Sequence, residues 1–394
     1  MSQVYDAIVV GAGPVGSRVA YQLAHYGHKV LVVERHSNVG DAICCTGIVG
    51  KECLERFPVA NSVVTNHARS ATFISPSGKC LRMQKDTVQA YVVERTVYDC
   101  DLASQAQEEG AEYLLSARVN DITLVDHRVR AEVTCNGRST DIESNVVIIG
   151  SGFGTQLPRK LSMGNVGDFV LGAQAEVAVR EADETEVYFG QNIAPGFFAW
   201  LVPTSPGRAL AGLLTRSNPG AYLNEFLASL AAQGKIESPD AQITRGGIPL
   251  KPLPRTYGQR VLVVGDAAGQ VKPTTGGGIY YGLLCADIAA DTVHTALLSD
   301  DFSAKNLARY EKDWKNMLGS ELRVDYWARK LYEKLNDSQI ERIFDIVQSN
   351  NIHEDLLQSP DFSFDWHGVS ITRALRHRTL RKAIWTITRS VLPF

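Results

Sequence analysis

Apolar positions in this chain change their period several times, and each change marks an element. Val4 to Val10 is a nearly continuous apolar run, the pattern of a buried parallel strand. From about Pro14 to Tyr26 the apolar positions recur at helical spacing. Lys29 to Val33 returns to a continuous run, closing a strand–helix–strand unit. A loop over Asp41 to Gly47 follows, then a helix to Phe57. Residues 69–83 read as a hairpin turning at Ser77-Gly78. Tyr91 to Arg95 is a strand, and Thr96 to Gly110 a helix ended by its glycine. Residues 113–143 alternate apolar and polar, with Asn136-Gly137 as a hairpin turn. They predict an antiparallel insertion, after which Asn145 to Gly150 returns to the core. A second alternating set covers 167–249, with strands near 168–179, 185–190, 197–203 and 208–214 and a helix at 220–233. Arg260 to Val264 is one more short buried strand. From Ser303 onward the pattern is helical with broken periodicity.

Two glycine clusters interrupt this pattern at its most apolar points. Gly11, Gly13 and Gly16 directly follow the first strand, with Pro14 opening the helix, and Glu34 ends the second strand. Gly11 allows the tight turn, Gly13 lets backbone approach a pyrophosphate, and Gly16 lets helix and strand pack closely. The helix start offers free N–H groups to the phosphates. A carboxylate at Glu34 suits ribose hydroxyls and repels a 2′-phosphate. The second cluster runs from Gly265-Asp266 to Gly276, Gly277 and Gly278, where Ile279 begins a helix to about Leu298. Its three bare glycines leave N–H groups free at a helix start. Asp266 also reads as a plain helix cap.

The chain has 394 residues, enough for two domains or one composite. A net charge of −3 argues against nucleic acid as a partner. Seven cysteines show no paired metal spacing and suggest a reducing, cytoplasmic setting. The first strand begins too early for a signal peptide, and no apolar run is long enough to span a bilayer. The charge is uneven, however. From His367 to Phe394 there is no acid, while Arg373, Arg376, Arg378, Arg381, Lys382 and Arg389 alternate with Ile371, Leu375, Leu380, Ile384, Ile387 and Val391. This predicts a basic amphipathic helix carrying Trp385. It suits either an anionic membrane surface on the inner face or docking on the protein's own body.

The two clusters in this order resemble the paired FAD fingerprints of the hydroxylase-like flavoprotein superfamily, in which the aspartate of the second motif bonds the ribityl chain. Cys44-Cys45-Thr46-Gly47 resembles the Cys-x-x-Gly loop of one branch, the geranylgeranyl reductases. Pro195-Gly196-Phe197-Phe198-Ala199-Trp200-Leu201-Val202-Pro203 is similar to that family's Pro-x-x-Tyr-x-Trp-x-Phe-Pro segment, and Arg95 with Asp99 fits a superfamily pattern. The similarity covers roughly residues 1–330. It implies an α/β protein: a Rossmann-type FAD-binding domain interleaved with an antiparallel-sheet substrate domain, plus a C-terminal helical region. The expected boundaries are 1–55, 85–160 and 255–300 for the first, 56–84 and 161–254 for the second, and 301–394 for the third. Phe198 and Val202 depart from the family's usual Tyr and Phe. Gly150-Ser151-Gly152 stands where hydroxylases carry Asp-Gly.

What the resemblance implies for function is an FAD-dependent reductase that saturates double bonds of an isoprenoid chain. The electron donor would be NADPH, NADH or ferredoxin, and the protein a monomer or weak oligomer. Candidate catalytic residues are Cys44, Gly47, Phe198 and Trp200. Cys44 would position or tune the flavin or relay a proton; it also reads as a small buried hydrophobe, or as half of a strained disulfide with Cys45. Phe198 and Trp200, two apart on a strand, share a face and suit a developing carbocation, or plain core packing. Candidate cofactor residues are Gly11, Gly13, Pro14, Gly16, Glu34, Arg35, Cys45, Arg95, Val119, Gly265, Asp266, Gly276, Gly277, Gly278 and Ile279. Two other functions compete. A flavin halogenase or monooxygenase is suggested by Phe198-Ala199-Trp200-Leu201-Val202-Pro203, which is similar to a halogenase Trp-x-Trp-x-Ile-Pro box. A non-catalytic prenyl-binding escort would not need both FAD motifs intact.

Overall fold

The computed structural model describes residues 4–41, 43–180 and 183–382. Its contacts divide the chain into two compact units, each gathered from three separated stretches. The first holds Met1–Ile43, Arg95–Phe169 and Ile248–Ser320; the second holds Cys44–Glu94, Val170–Gly247 and Glu321–Phe394.

The first unit is built on an eight-stranded sheet. Its parallel centre runs Val261–Val263, Arg138–Ile149, Val4–Val10, Val30–Val33 and Glu112–Leu114. Val4–Val10, Val30–Val33, Val261–Val263 and residues 146–149 are largely apolar and buried because both faces are covered there. On one side lies the helix Pro14–His25, burying Val19, Ala20 and Leu23, with Arg95–Glu108 and Ile279–Ser299 as its neighbours. On the other side Ile8, Val10, Val147 and Ile149 share a core with Val119, Ile122, Val129, Ala131 and Val133. Each such valine or isoleucine contributes roughly 1.5–3 kcal/mol when fully buried.

Arg138–Ile149 is one strand where the pattern suggested two. Up to Ser144 it pairs antiparallel with Arg128–Cys135, and from Glu143 onward it pairs parallel with Val4–Val10. No Gly or Pro interrupts it. The expected antiparallel insertion and the returning core strand are therefore continuous. The Asn136-Gly137 turn forms as expected, with φ of 50° and 76°.

The second unit has a seven-stranded sheet in the order Ile243–Pro249, Phe169–Ala178, Arg208–Thr215, Phe198–Ser205, Thr185–Phe189, Ser70–Ile74, Cys80–Gln84. Thr185–Phe189 and Ser70–Ile74 are parallel. One face carries Ala173, Ala175, Ala199, Leu201, Ala211 and Leu213 against Leu223, Phe226, Leu227 and Leu230 of the helix Pro219–Ala232. The row of alanines lets that helix approach closely. A separate three-stranded sheet joins Ile48–Gly50, Ala90–Val93 and Val64–Ala68.

Four expectations about extent differ from what is observed. The helix expected after Gly47 is preceded by the strand Ile48–Gly50 and covers only Lys51–Arg56. Because that strand pairs with Ala90–Val93, residues 44–55 and 85–94 fall in the second unit, not with the nucleotide-binding motif. Among the described residues, 301–320 belong to the first unit and 321–382 to the second; the division falls at Ser320, inside the helix Ala304–Tyr332. The basic tail is not one helix. Gly368–Ala374 ends at Leu375, and the N–H groups of Arg376 and His377 bond three residues back, tightening the chain into a turn. Leu380 beyond the turn is buried, while Arg378, Arg381 and Lys382 are exposed. Ile384, Trp385, Ile387, Arg389 and Val391 lie outside the described residues.

Candidate functional site

In the first unit the three N-terminal glycines have different physical reasons. Gly11 takes a φ of +101°, and a Cβ there would lie 2.8 Å from the Gly150 carbonyl oxygen. A Cβ on Gly16 would run into the Gly11 carbonyl oxygen. Both are glycine for the protein's own packing. Gly13 is not: its φ is an ordinary −70°, and a Cβ would meet nothing within 4 Å. Neither strain nor packing calls for glycine at that point, so the open space fits a ligand brought against the backbone. Pro14 occupies the first turn and no side chain caps the helix start. Glu34 braces the loop, its carboxylate accepting 2.9 Å bonds from the Ala12 and His36 N–H groups. A carboxylate has further lone pairs, available to ribose hydroxyls.

The two sequence motifs meet at Val15. Cβ atoms on Gly265 and Gly282 would stand 3.0 and 2.5 Å from its Cγ2. Gly265, at φ +64°, turns the chain out of Val261–Val263, and Asp266 follows. Burial pushes the Asp266 carboxyl up to about 6, while Arg95 draws it down. Nothing among the described residues donates a hydrogen bond to it. It lies against the bare backbone of Gly278, where a Cβ would strike its Oδ1. Gly276 is at φ +77°, and Ile279 opens the helix Ile279–Ser299 with no side-chain cap. A partly buried carboxylate lacking a donor, beside an uncapped helix start, fits a ribityl hydroxyl and an electron-rich ring edge.

Arg95 is no surface pair. Its guanidinium bonds Asp99 at 3.0 and 3.2 Å, and its side chain is 14% exposed. Arg35 is exposed, and Val119 is a core residue opposite Val133. Sequence reasoning missed Gln270. Its buried carboxamide accepts from the Gly265 N–H and donates to the Tyr310 hydroxyl, both at 2.8 Å, and so holds the turn before Asp266. Tyr310 is too distant in sequence for any local signal.

In the second unit, Val187, Trp200, Gly212 and Gln174 stand opposite one another across four strands, on the face away from the helix Pro219–Ala232. Gly212 makes room for the Trp200 ring: a Cβ there would lie 2.5 Å from Cζ2. The Trp200 indole N–H is buried without a partner among the described residues. Phe198 meets Trp200 edge-on at 6.1 Å and Phe189 at 6.1 Å. Phe73 stacks on Phe189 at 6.3 Å, so the face is aromatic.

The cysteine loop is tied to the same row. The Gln174 carboxamide donates to the Cys45 carbonyl at 3.2 Å and accepts from the Thr46 hydroxyl at 3.0 Å. The Cys44 Sγ lies 3.6 Å from the point a Gly246 Cβ would occupy. Burial pushes the Cys44 thiol up, and a Thr244 hydrogen bond opposes it. Gly47, at φ +73°, passes its carbonyl to the Val93 N–H. Cys44 and Cys45 are both free, so the strained disulfide is absent. Gln174, Thr244 and Gly246 were also missed, because only strand register brings them to the loop.

These loops, on this sheet arrangement, define an FAD-dependent flavoprotein oxidoreductase. A family model described as lycopene cyclase protein matches residues 6–353. A digeranylgeranylglycerophospholipid reductase of Methanocaldococcus jannaschii is 30% identical over 87% of this chain and 90% of its own. Another, digeranylgeranylglycerophospholipid reductase 2 of Methanothermobacter thermautotrophicus, is 31% identical over 88% and 93%. The chain belongs to that FAD-dependent superfamily and, within it, to the geranylgeranyl reductases. Among solved structures, a geranylgeranyl bacteriochlorophyll reductase-like protein from Thermoplasma acidophilum has a TM-score of 0.86 at 24% identity, covering 99% of this chain and 100% of its own. A flavin-dependent brominase has a TM-score of 0.69 at 17% identity, covering 98% and 100%. At such identities both show the fold alone.

Proposed function

We propose that this enzyme saturates carbon–carbon double bonds of a geranylgeranyl or related isoprenoid chain. The observation that carries the reading is the aromatic sheet face to which the Cys44 loop is tied. It is supported by relatives at about 30% identity that are named as reductases of such lipids. Residues at Gly13, Glu34, Asp266 and Gly278 would hold FAD, which when bound supplies hydride to one alkene carbon. The protein's part is to orient the chain, exclude water and deliver a proton to the other carbon. The faces of Phe198 and Trp200 favour positive charge developing between those two events. Cys44 is the proton donor in this reading, because burial keeps its thiol protonated at neutral pH. Gly47 lets the loop turn at positive φ beneath it.

A lipid surface is part of the same reading. On the helix Ala304–Tyr332, Glu321 and Asp325 are turned inward, whereas Arg323 and Trp327 face out, Trp327 at 70% exposure. An exposed tryptophan beside cations suits an anionic headgroup layer. No helix among the described residues is long and apolar enough to cross a membrane.

The test is anaerobic. The bound flavin is reduced chemically, a geranylgeranyl lipid is added, and flavin spectrum and product mass are followed together. The expected result is return of oxidised flavin with two hydrogens gained per turnover. Reduced flavin that persists across several prenyl lipids, and reacts only once oxygen and halide are admitted, would move the halogenase or monooxygenase reading ahead. Repeating turnover with NADPH, NADH and reduced ferredoxin identifies the donor.

A further inference from the structure

The aromatic face of the second unit has an end. Val187, Trp200 and Gln174 stand in one row across it, and the paired Phe189 and Phe198 stand in the next, two residues further along their strands. Past that row the chain leaves Thr185–Phe189 through Gly190, at φ +143°. Gln191 is then tied down: its N–H donates to the Asp337 carboxylate at 2.8 Å, and its carboxamide to the Leu335 carbonyl at 2.6 Å. These bonds bring the start of the helix Asp337–Ser349 to the end of the strand. Asn336 and Gln339 close a capping box that fixes where the helix begins. Ile340, Ile343 and Phe344 recur at helical spacing and pack with Leu335 and Tyr332 around Phe189. Phe344 meets the Phe189 ring edge-on at 5.7 Å, and Tyr332 meets it edge-on at 5.9 Å. The Tyr332 hydroxyl donates to the Phe197 carbonyl at 2.7 Å, which pins that ring beside Phe198.

Plain packing accounts for Leu335 and Ile340, which are buried. It does not account for the rings. Trp200, Phe198, Phe189, Tyr332 and Phe344 are each only half-buried, whereas Ala173, Ala199, Leu201 and Leu213 on the opposite face of the same sheet are fully buried. Large apolar rings that touch one another and still keep accessible surface line a space instead of filling one. Their contacts form one series: 6.1 Å from Trp200 to Phe198, 6.1 Å to Phe189 and 5.7 Å to Phe344.

We propose that Phe344, backed by Tyr332, is the end wall of this face and sets the length of prenyl chain the enzyme accepts. The inference rests on the reading that the face holds an isoprenoid. Gln174 grips the cysteine loop at the Trp200 row, so the reacting end lies there and the rest of the chain runs toward Phe344. An apolar wall suits a tail that ends in methyl groups and offers no hydrogen bond. In a closed apolar site one methylene too many costs roughly 10-fold or more in selectivity.

The test uses the full-length flavoprotein and straight-chain alcohols of graded length, read by displacement of a bound polarity-sensitive dye. In the wild type, affinity is expected to rise about fourfold per added methylene and then stop rising at a limiting length. Phe344→Ala is expected to leave short alcohols within about twofold and to move the limit to chains longer by at least about two carbons. Phe344→Trp is expected to shorten it. Phe344→Leu keeps the helix face apolar, should lengthen the limit by less, and serves if the alanine variant does not fold. A side chain that only packs its helix predicts equal weakening at every length; that result, or an unmoved limit, overturns the inference. Turnover separates the wall from the reading beneath it. With farnesyl, geranylgeranyl and geranylfarnesyl substrates, Phe344→Ala should shift kcat/KM toward the longest chain about tenfold. If the wild type reduces none of them while the alcohol limit still moves, the functional reading fails and the wall stands. If it reduces them with a selectivity that the variant leaves unchanged, the wall fails and the functional reading stands.

Discussion

In the proposed reading the two units bind by different means. In the first, the groups that would face a ligand are backbone: the open position at Gly13, the Gly276–Gly278 stretch and uncapped helix starts. In the second they would be side chains on one sheet face: Trp200, Phe198, Gln174 and the cysteine loop it grips. Backbone sites must be glycine at fixed spacing, whereas a sheet-face site can be assembled from any strands whose register brings the right residues opposite. The first kind tolerates almost no substitution and the second tolerates repacking.

The sharpest way to break this contrast lies within the first unit. Gly16→Ala and Gly13→Ala are both expected to weaken FAD binding by at least roughly 100-fold, giving colourless protein. Only Gly16→Ala should also destabilise the flavin-free protein, by about 1–3 kcal/mol or more, because its methyl strikes backbone. Thermal melts of the two flavin-free variants check this, and equal melting temperatures would remove the distinction between packing glycine and ligand glycine.

In the second unit, Gly212→Ala pushes the Trp200 ring off its seat. We expect kcat/KM on a prenyl substrate to fall roughly tenfold while FAD affinity stays within about twofold. Steady-state kinetics beside a flavin titration separate the two. Loss of flavin in this variant would show that the division of labour is wrong.

A smaller effect comes from Asp266. Its carboxyl stands at about 6 when folded, above its ordinary 3.8, so ionising it costs stability in the flavin-free protein. That cost is absent below about 3.8 and complete above about 6; stability should fall as pH rises through this window. Asp266→Asn should flatten the profile, a difference of roughly 2–4 °C in melting temperature. Smallest of all, Arg35→Ala should change FAD affinity by less than about threefold, because the side chain is exposed.

How much was legible follows the same line. Val4–Val10, Pro14–His25 and the turn at Asn136-Gly137 match their predicted positions closely, since each is set by local periodicity and turn chemistry. The resemblance pointed to Cys44, Phe198 and Trp200 but not to Gln174 or Thr244, whose partners are 70 or more residues away, nor to Gln270, which Tyr310 holds from 40 residues away. The residue boundaries of the units were also hidden, because Ile48–Gly50 is too short to announce that it pairs with Ala90–Val93.

From sequence alone came the nucleotide-binding unit, its glycines and its acid, because close backbone approach leaves few residue choices and those choices sit next to each other in the chain. Only the tertiary structure decided that Arg138–Ile149 serves two pairings, that the basic segment breaks at Leu375, and that a glutamine on one strand grips a cysteine loop more than 100 residues before it in the chain. Those outcomes depend on strand register and on contacts between distant segments, which no window of neighbouring residues contains.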